Sequence, residues 1–337
     1  MAKSGDPTMG SVTLNTKDHP EVAIEARDLT KSFDGVTAVN KLTLDVPRGT
    51  ILGFIGPSGC GKTTTVRLMM GNYRPTDGMV KVFGRSPGSF TRAERKRIGY
   101  MPQLFILYPE LTVWENMNFA ASLYGYPMKR KERLQELLDL VELTGHEKKR
   151  VRDISGGMQR RLSLATTLIH DPELIFLDEP TAGIDPVLRQ KFWEHFRKLR
   201  DEGYTLFITT QYVGEAAYCD NVGVMASGNL LMVEPPDRLR YRAMGGEIVE
   251  LSVESPLSKA FIAALRDLPF VTGDITFLDP VSLRLTVDEA STAIPQLLHW
   301  CEEREVGVQS IGESVPPFDD VFVRIMQEQD AEGKQEL

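Results

Sequence analysis

Residues 56–64 read Gly-Pro-Ser-Gly-Cys-Gly-Lys-Thr-Thr and directly follow the apolar run Thr50-Ile51-Leu52-Gly53-Phe54-Ile55. No other stretch restricts the possible folds as strongly. The spacing is G-x-x-x-x-G-K-[ST]. Its glycines permit backbone conformations in which successive N–H groups point at one anion. A helix beginning near Gly61 and continuing over 64–70 adds its positive end at the same point. Lys62 has the reach for β- and γ-phosphates, and the Thr63 hydroxyl suits Mg2+. A buried strand delivering such a loop into a helix opens an α/β fold with a parallel sheet. Cys60, inside the loop, carries two expectations. It is either a small residue filling a tight turn or a thiol whose pKa the helix N-terminus depresses, open to alkylation and protected by nucleotide.

A second apolar run, Leu174-Ile175-Phe176-Leu177, has the pattern of a central strand buried on both faces. It ends in two adjacent acids, Asp178 and Glu179. A parallel strand delivers such residues to the carboxyl edge of its sheet, where α/β proteins bind ligands. Two acids there are costly to desolvate and call for a cation, a phosphate-bound water or some other function. Upstream lies Ile154-Ser155-Gly156-Gly157-Met158, followed by a helix-length segment.

Around these two anchors the other elements fall in order. Residues 22–46 alternate apolar and polar about Asp34-Gly35, which predicts antiparallel strands with one solvated face. Phe33 beside that turn reads as core packing. Strands are expected at 79–83 and 97–101, with Gln103 just beyond the second. Helical periodicity covers 112–143, including Leu134, Leu137, Leu138 and Val141 at i, i+3, i+4, i+7. Residues 104–165 then form a helical insertion. The basic runs 92–97, 129–133 and 148–152 read as solvated faces. A helix over 187–201 and a buried strand over 204–209 follow, with Gln211 facing the same edge as Asp178. Two closing strands, 221–226 and 230–233, flank Ser227-Gly228-Asn229, and a short helix is expected at 235–242.

From Gly245-Gly246 onward the pattern changes to strand 247–253, helix 256–267, strands 270–278 and 282–287, helix 288–304 and strand 305–311. That βαββαβ order predicts a split βαβ, ferredoxin-like α+β unit over 246–328. A terminal helix docks through Phe318, Val321, Phe322 and Ile325. The polar stretches 1–20 and 329–337 are expected to be flexible tails.

Composition narrows the function classes. Hydrophobic residues make up 42% and charged residues 26% of the 337, as in a soluble globular protein. No apolar run reaches the 18 or so residues of a membrane span. The N-terminus lacks the apolar core of a signal peptide, and Ala2 excludes myristoylation. The net charge of −8 argues against a nucleic-acid partner. Cys60, Cys219 and Cys301 have no metal-ligand spacing and are expected to be reduced thiols.

With these pieces placed, residues 22–243 resemble the nucleotide-binding subunit of ATP-binding cassette (ABC) transporters, and 21–243 is taken as the ATP-binding domain. In that resemblance, the Walker A loop is Gly56, Pro57, Ser58, Gly59, Cys60, Gly61, Lys62, Thr63 and Thr64. The Q-loop glutamine is Gln103. The signature is Ile154-Ser155-Gly156-Gly157-Met158, where Leu and Gln are usual at its ends. Walker B ends in Asp178 with Glu179 after it, the D-loop is Ala182-Gly183-Ile184-Asp185, and the adenine-stacking aromatic is Phe33. The family's switch histidine is replaced by Gln211, whose amide can donate a hydrogen bond but cannot carry a proton. The ending Pro317-Phe318-Asp319-Asp320-Val321-Phe322 resembles the extension of ABC-2 type exporter ATPases.

The resemblance implies an ATPase with ATP and Mg2+ as ligands. Thr63, Gln103 and Asp178 would hold the metal, and Glu179 would act on the attacking water with Gln211 at the γ-phosphate. It implies a head-to-tail homodimer or heterodimer in which Ser155, Gly156 and Gly157 meet the ATP on the facing P-loop. It also implies separate membrane permease subunits, and hence a peripheral place on the cytoplasmic face of the membrane. Residues 105–114 are the candidate contact for the permease, although Leu107, Tyr108 and Leu111 fit local packing as well. Two other readings stay open. An importer ATPase with a regulatory domain would depend on a solute-binding protein. A soluble non-transport ATPase would not co-purify with a membrane protein.

Overall fold

Residues 51–55 and 174–178 are buried along their whole length because each strand lies inside a parallel sheet with neighbours on both sides. The computed structural model describes residues 21–104, 106–126 and 130–335. The chain divides into two units, Met1–Pro235 and Pro236–Leu337.

The first unit runs β1 (Val22–Phe33), β2 (Val36–Pro47), β3 (Ile51–Ile55), α1 (Lys62–Met69), β4 (Asp77–Val82), α2 (Arg92–Arg95), β5 (Ile98–Met101), α3 (Val113–Leu123), α4 (Lys131–Leu140), α5 (Gly156–Leu168), β6 (Leu174–Asp178), α6 (Pro186–Asp201), β7 (Thr205–Thr210), β8 (Asn221–Ala226) and β9 (Asn229–Glu234). Six strands form one sheet in the order β5-β6-β7-β3-β8-β9, parallel except for β9. The strand before the glycine loop and the strand before the two acids are thus separated only by β7. A separate antiparallel sheet, β2-β1-β4, carries the alternating segment. Its apolar face shares a core with β3, β5, β6 and α1, among them Leu42, Leu44, Phe54, Val66 and Phe176.

The insertion after β5 is helical, as expected, and α3 opens on a capping box between Thr112 and Glu115. Leu134, Leu137, Leu138 and Val141 are all buried. The last helix, α5, continues to Leu168, three residues beyond the expected limit of the insertion. The basic runs are not uniformly solvated. Arg97 is held by Glu173 at 2.5 and 2.8 Å and lies 3.9 Å from the Phe83 ring centroid. Lys129 lies outside the described residues.

The second unit comprises α7 (Pro236–Met244), β10 (Glu247–Val253), α8 (Lys259–Arg266), β11 (Val271–Phe277), β12 (Ser282–Val287), α9 (Ala290–Glu302), β13 (Val308–Glu313) and α10 (Phe318–Gln335). Its sheet has the order β11-β12-β10-β13, antiparallel throughout. A core of its own includes Val249, Leu251, Leu265, Leu283, Leu285, Leu297 and Trp300.

Three expectations need correction here. The boundary lies at 235/236 rather than 243/246, because α7 packs on α10 and β10. The last strand starts at Val308, three residues late, after Glu305 takes a positive φ of 53° at the end of α9. Residues 329–335 belong to α10 rather than to a tail, because the helix docked by Phe318, Val321 and Ile325 runs on to Gln335. The expected N-terminal tail, 1–20, lies outside the described residues. Among the described residues, no helix is long and apolar enough to cross a membrane.

Candidate nucleotide site

β3, β5, β6 and β7 run parallel, so the segments after them share one edge of the sheet. Those segments are the glycine loop, Gln103, Glu179 and Gln211. The topology therefore gathers residues that are up to 155 positions apart in the chain, from Gly56 to Gln211.

Gly61 caps α1 in a left-handed conformation, φ 111°, with no side-chain cap on the helix. The N–H groups of its first turn are left to a ligand. A Cβ at Gly61 would collide with the Ala38 carbonyl, and one at Gly56 with the Met225 carbonyl, so both positions exclude larger residues. Pro57, Ser58 and Gly59 are exposed, and Thr63 and Thr64 are half-buried in the first turn. Lys62 is 5% exposed, and its ammonium donates to the carbonyls of Gly56 at 2.8 Å and Pro57 at 3.0 Å. The cation thus lies folded along the loop, its charge available to an anion seated there.

The structure runs against the expectation of a depressed thiol pKa at Cys60. Cys60 is 4% exposed, and burial pushes its pKa up, against the opposing charge of Lys62. The residue fills the turn beneath Gly56.

Asp178 is 2% exposed, and its Oδ1 accepts from the hydroxyls of Thr209 at 2.6 Å and Thr63 at 3.2 Å. Thr63 thereby joins the glycine loop to the acidic strand end. Glu179 departs from the strand with φ 50°, while its N–H donates to the Thr209 carbonyl at 3.0 Å. This turn aims the carboxylate at Gln103, whose Nε2 donates to Oε2 at 2.9 Å. Among the described residues, no three His, Cys, Asp or Glu side chains cluster as a metal cage. The oxygen set of Thr63, Gln103 and Asp178 fits a hard divalent ion that keeps most of its ligands as phosphate and water.

One residue of this site escaped the sequence reading. Arg160, on α5, is 4% exposed and donates to the carbonyls of Gln103 at 2.8 Å, Glu179 at 3.2 Å and Ala182 at 3.0 Å. Burial lowers its pKa, opposed by the charge of Glu179. It binds the loops after β5 and β6 to the helical insertion. The only signal in the chain was an arginine on the buried face of an amphipathic helix, three positions after Gly157.

Other expected residues stand apart from this cluster. Phe33 is 39% exposed, not core, and meets Tyr73 edge-on at 5.2 Å with the Lys31 ammonium 4.9 Å from its centroid. Ser155 caps α5, accepting from Met158 N–H at 3.3 Å, and is exposed with Gly156 beside it, while Gly157 lies against Leu188. Gln211 is exposed just past β7, two positions beyond the residue paired with Asp178. Between β5 and α3, Leu104 and Ile106 are 82% and 75% exposed, and Tyr108 meets Phe119 of α3 with ring centroids 4.7 Å apart. Leu107 and Leu111 are half-buried, and Phe105 lies outside the described residues.

A family profile described as ABC transporter matches residues 39–182. The linearmycin resistance ATP-binding protein LnrL of Bacillus subtilis is 31% identical over 306 residues, 90% of this chain and 97% of that protein. The daunorubicin/doxorubicin resistance ATP-binding protein DrrA of Streptomyces peucetius is 33% identical over 315 residues, 93% and 94% of the two chains. The Escherichia coli protein named "Probable multidrug ABC transporter ATP-binding protein YbhF" is 34% identical over 271 residues, 79% of this chain, and the match spans only 46% of YbhF. Among solved structures, an ATP-binding subunit of an ABC transporter aligns with TM-score 0.60 and 26% identity over 65% of this chain and 92% of its own. A dimeric cassette in a post-hydrolysis state with ADP and Pi aligns with TM-score 0.58 and 25% identity, covering 63% of this chain and 98% of its own.

Proposed function

The chain belongs to the ABC transporter family, and on that premise we propose that it is the ATP-hydrolysing subunit of an ABC-2 type exporter. The observation that carries the catalytic part is the linked set Thr63–Asp178 and Gln103–Glu179 at one sheet edge, beside a capless helix N-terminus and Lys62. Lys62 and the backbone N–H groups of the loop, Pro57 excepted, bind the β- and γ-phosphates. Thr63, Gln103 and Asp178 would hold Mg2+, which would supply positive charge to neutralise the phosphates. Glu179 orients the attacking water and takes its proton. Phe33 presents a ring face to the base, and Gln211 donates an amide hydrogen bond to the γ-phosphate.

Ser155, Gly156 and Gly157 make no hydrogen bond to this cluster, and their exposure at a helix N-terminus supports a head-to-tail dimer in which they meet the partner's nucleotide. The exposed Leu104, Ile106 and Tyr108 support docking of a separate membrane subunit beside the Gln103 loop, and a peripheral position on the cytoplasmic membrane face goes with that reading. The export direction is inferred from LnrL and DrrA, which are named for resistance to linearmycin and to daunorubicin/doxorubicin. The C-terminal unit is read as ferredoxin-like from its strand order.

Purified full-length chain with MgATP tests the catalytic reading. Glu179→Gln should bind ATP within about threefold of wild type yet lose about a hundredfold or more in turnover. Lys62→Ala should lose binding itself. Wild-type turnover in Glu179→Gln would refute the assigned role, and failure to co-purify with any integral membrane protein would favour the soluble-ATPase alternative.

A further inference from the structure

Gln211 is the family's unusual residue here, and nothing in its own side chain's contacts explains how it is held. Its neighbour supplies an answer. Tyr212 is half-buried, and the guanidinium of Arg189, from the first turn of α6, lies 4.2 Å from its ring centroid. The same guanidinium reaches back to the Ile184 carbonyl at 3.5 Å and pairs with Glu215 at 3.6 Å. Glu215 is 2% exposed, its backbone N–H closes the turn onto the Tyr212 carbonyl at 3.1 Å, and its carboxylate oxygens take no hydrogen bond among the described residues. A buried carboxylate with one ionic partner makes that partner hard to move, because separating them strands a charge away from water.

Arg189 therefore touches two segments of the site at once. On one side is the turn 182–185, which leaves Glu179 through the Ala182 N–H to Glu179 carbonyl bond at 3.2 Å. On the other is the segment that presents Gln211. We propose that Arg189 is a positioning residue that couples the 182–185 turn to Gln211, with Tyr212 and Glu215 as its two holds. The proposal rests on the reading of Gln211 as a nucleotide-contacting residue. Planarity is central: a guanidinium can lie on a ring while its edge serves a carboxylate and a carbonyl, and an ammonium cannot do all three.

The test uses full-length protein with MgATP as probe. Arg189→Lys, which keeps a charge for Glu215, and Tyr212→Leu should each lower kcat about tenfold with KM for ATP unchanged within about threefold. In a Gln211→Ala background either change should cost less than about twofold more, because the group being positioned is gone. Amide hydrogen exchange without nucleotide should quicken in Arg189→Lys at both 182–185 and 211–215. Full tenfold losses on top of an impaired Gln211→Ala, or faster exchange in only one segment, would overturn the coupling. A Gln211→Ala protein with wild-type turnover would instead remove the reading of Gln211 and the proposal together, so the two failures are told apart.

Discussion

Cys60 illustrates how one side chain's behaviour depends on what closes over it. Its place at a helix N-terminus argues for a reactive thiolate, but 4% exposure and a raised pKa argue the reverse. N-ethylmaleimide at pH 7 should label Cys60 at least about tenfold more slowly than an unhindered thiol, with or without MgATP, as read by mass spectrometry of the 56–64 peptide. Rapid labelling that nucleotide blocks would restore the reactive reading. Phe33 shows the converse. A lone aromatic beside a turn is ordinarily core, yet here it stays 39% exposed, with Tyr73 at 5.2 Å in a T-shaped contact and the Lys31 ammonium 4.9 Å from its centroid.

The helix α5 acts as an element with two ends of different purpose. Ser155 caps it and exposes the glycines. One turn further, Arg160 turns inward and spends its donors on three loop carbonyls. Removing that buried cation leaves the carbonyls of Gln103, Glu179 and Ala182 without it. Arg160→Met should therefore destabilise the protein by about 2–4 kcal/mol in urea unfolding. Turnover should also fall, since Gln103 and Glu179 lose their shared support. An Arg160→Met protein as stable and as active as wild type would show that the three bonds carry nothing. The strands at this edge were legible in the sequence because a buried parallel strand is mostly apolar, broken here only by the threonines of β7 and the acid ending β6. The arginine was not, because hydrogen bonds to backbone carbonyls leave no residue pattern behind.

For the molecule as a whole, acid sensitivity follows from two half-buried imidazoles. His170 stacks on Tyr124 at 3.7 Å, with its Nε2 facing the Ile98 carbonyl at 3.0 Å, and burial lowers its pKa from the ordinary 6.5. Burial lowers the pKa of His195 as well. Each is protonated more readily in the unfolded chain, so the stability that goes with the neutral ring is complete above about pH 6.5 and is lost as pH falls below it. Urea midpoints should decline from pH 7 to pH 5, with a shallower decline in His170→Phe. An unchanged slope in that variant would remove His170 from the account. The carboxylates whose pKa is lowered by arginine or lysine, Glu173 and Glu142, lose their contribution only at lower pH, so the two windows separate.

Sequence alone determined the order of the elements, the glycine loop, the paired acids and the family, because each is written in local spacing or in the period of buried residues. Even the βαββαβ order of the second unit was legible that way. The tertiary structure decided the rest. It set the 235/236 boundary through the packing of α7, continued the last helix to Gln335, and buried Cys60. It also brought Arg160 and Arg189 to carbonyls and rings far away in the chain. Those outcomes depend on which surfaces meet, and a contact between distant residues has no period to be read along the chain.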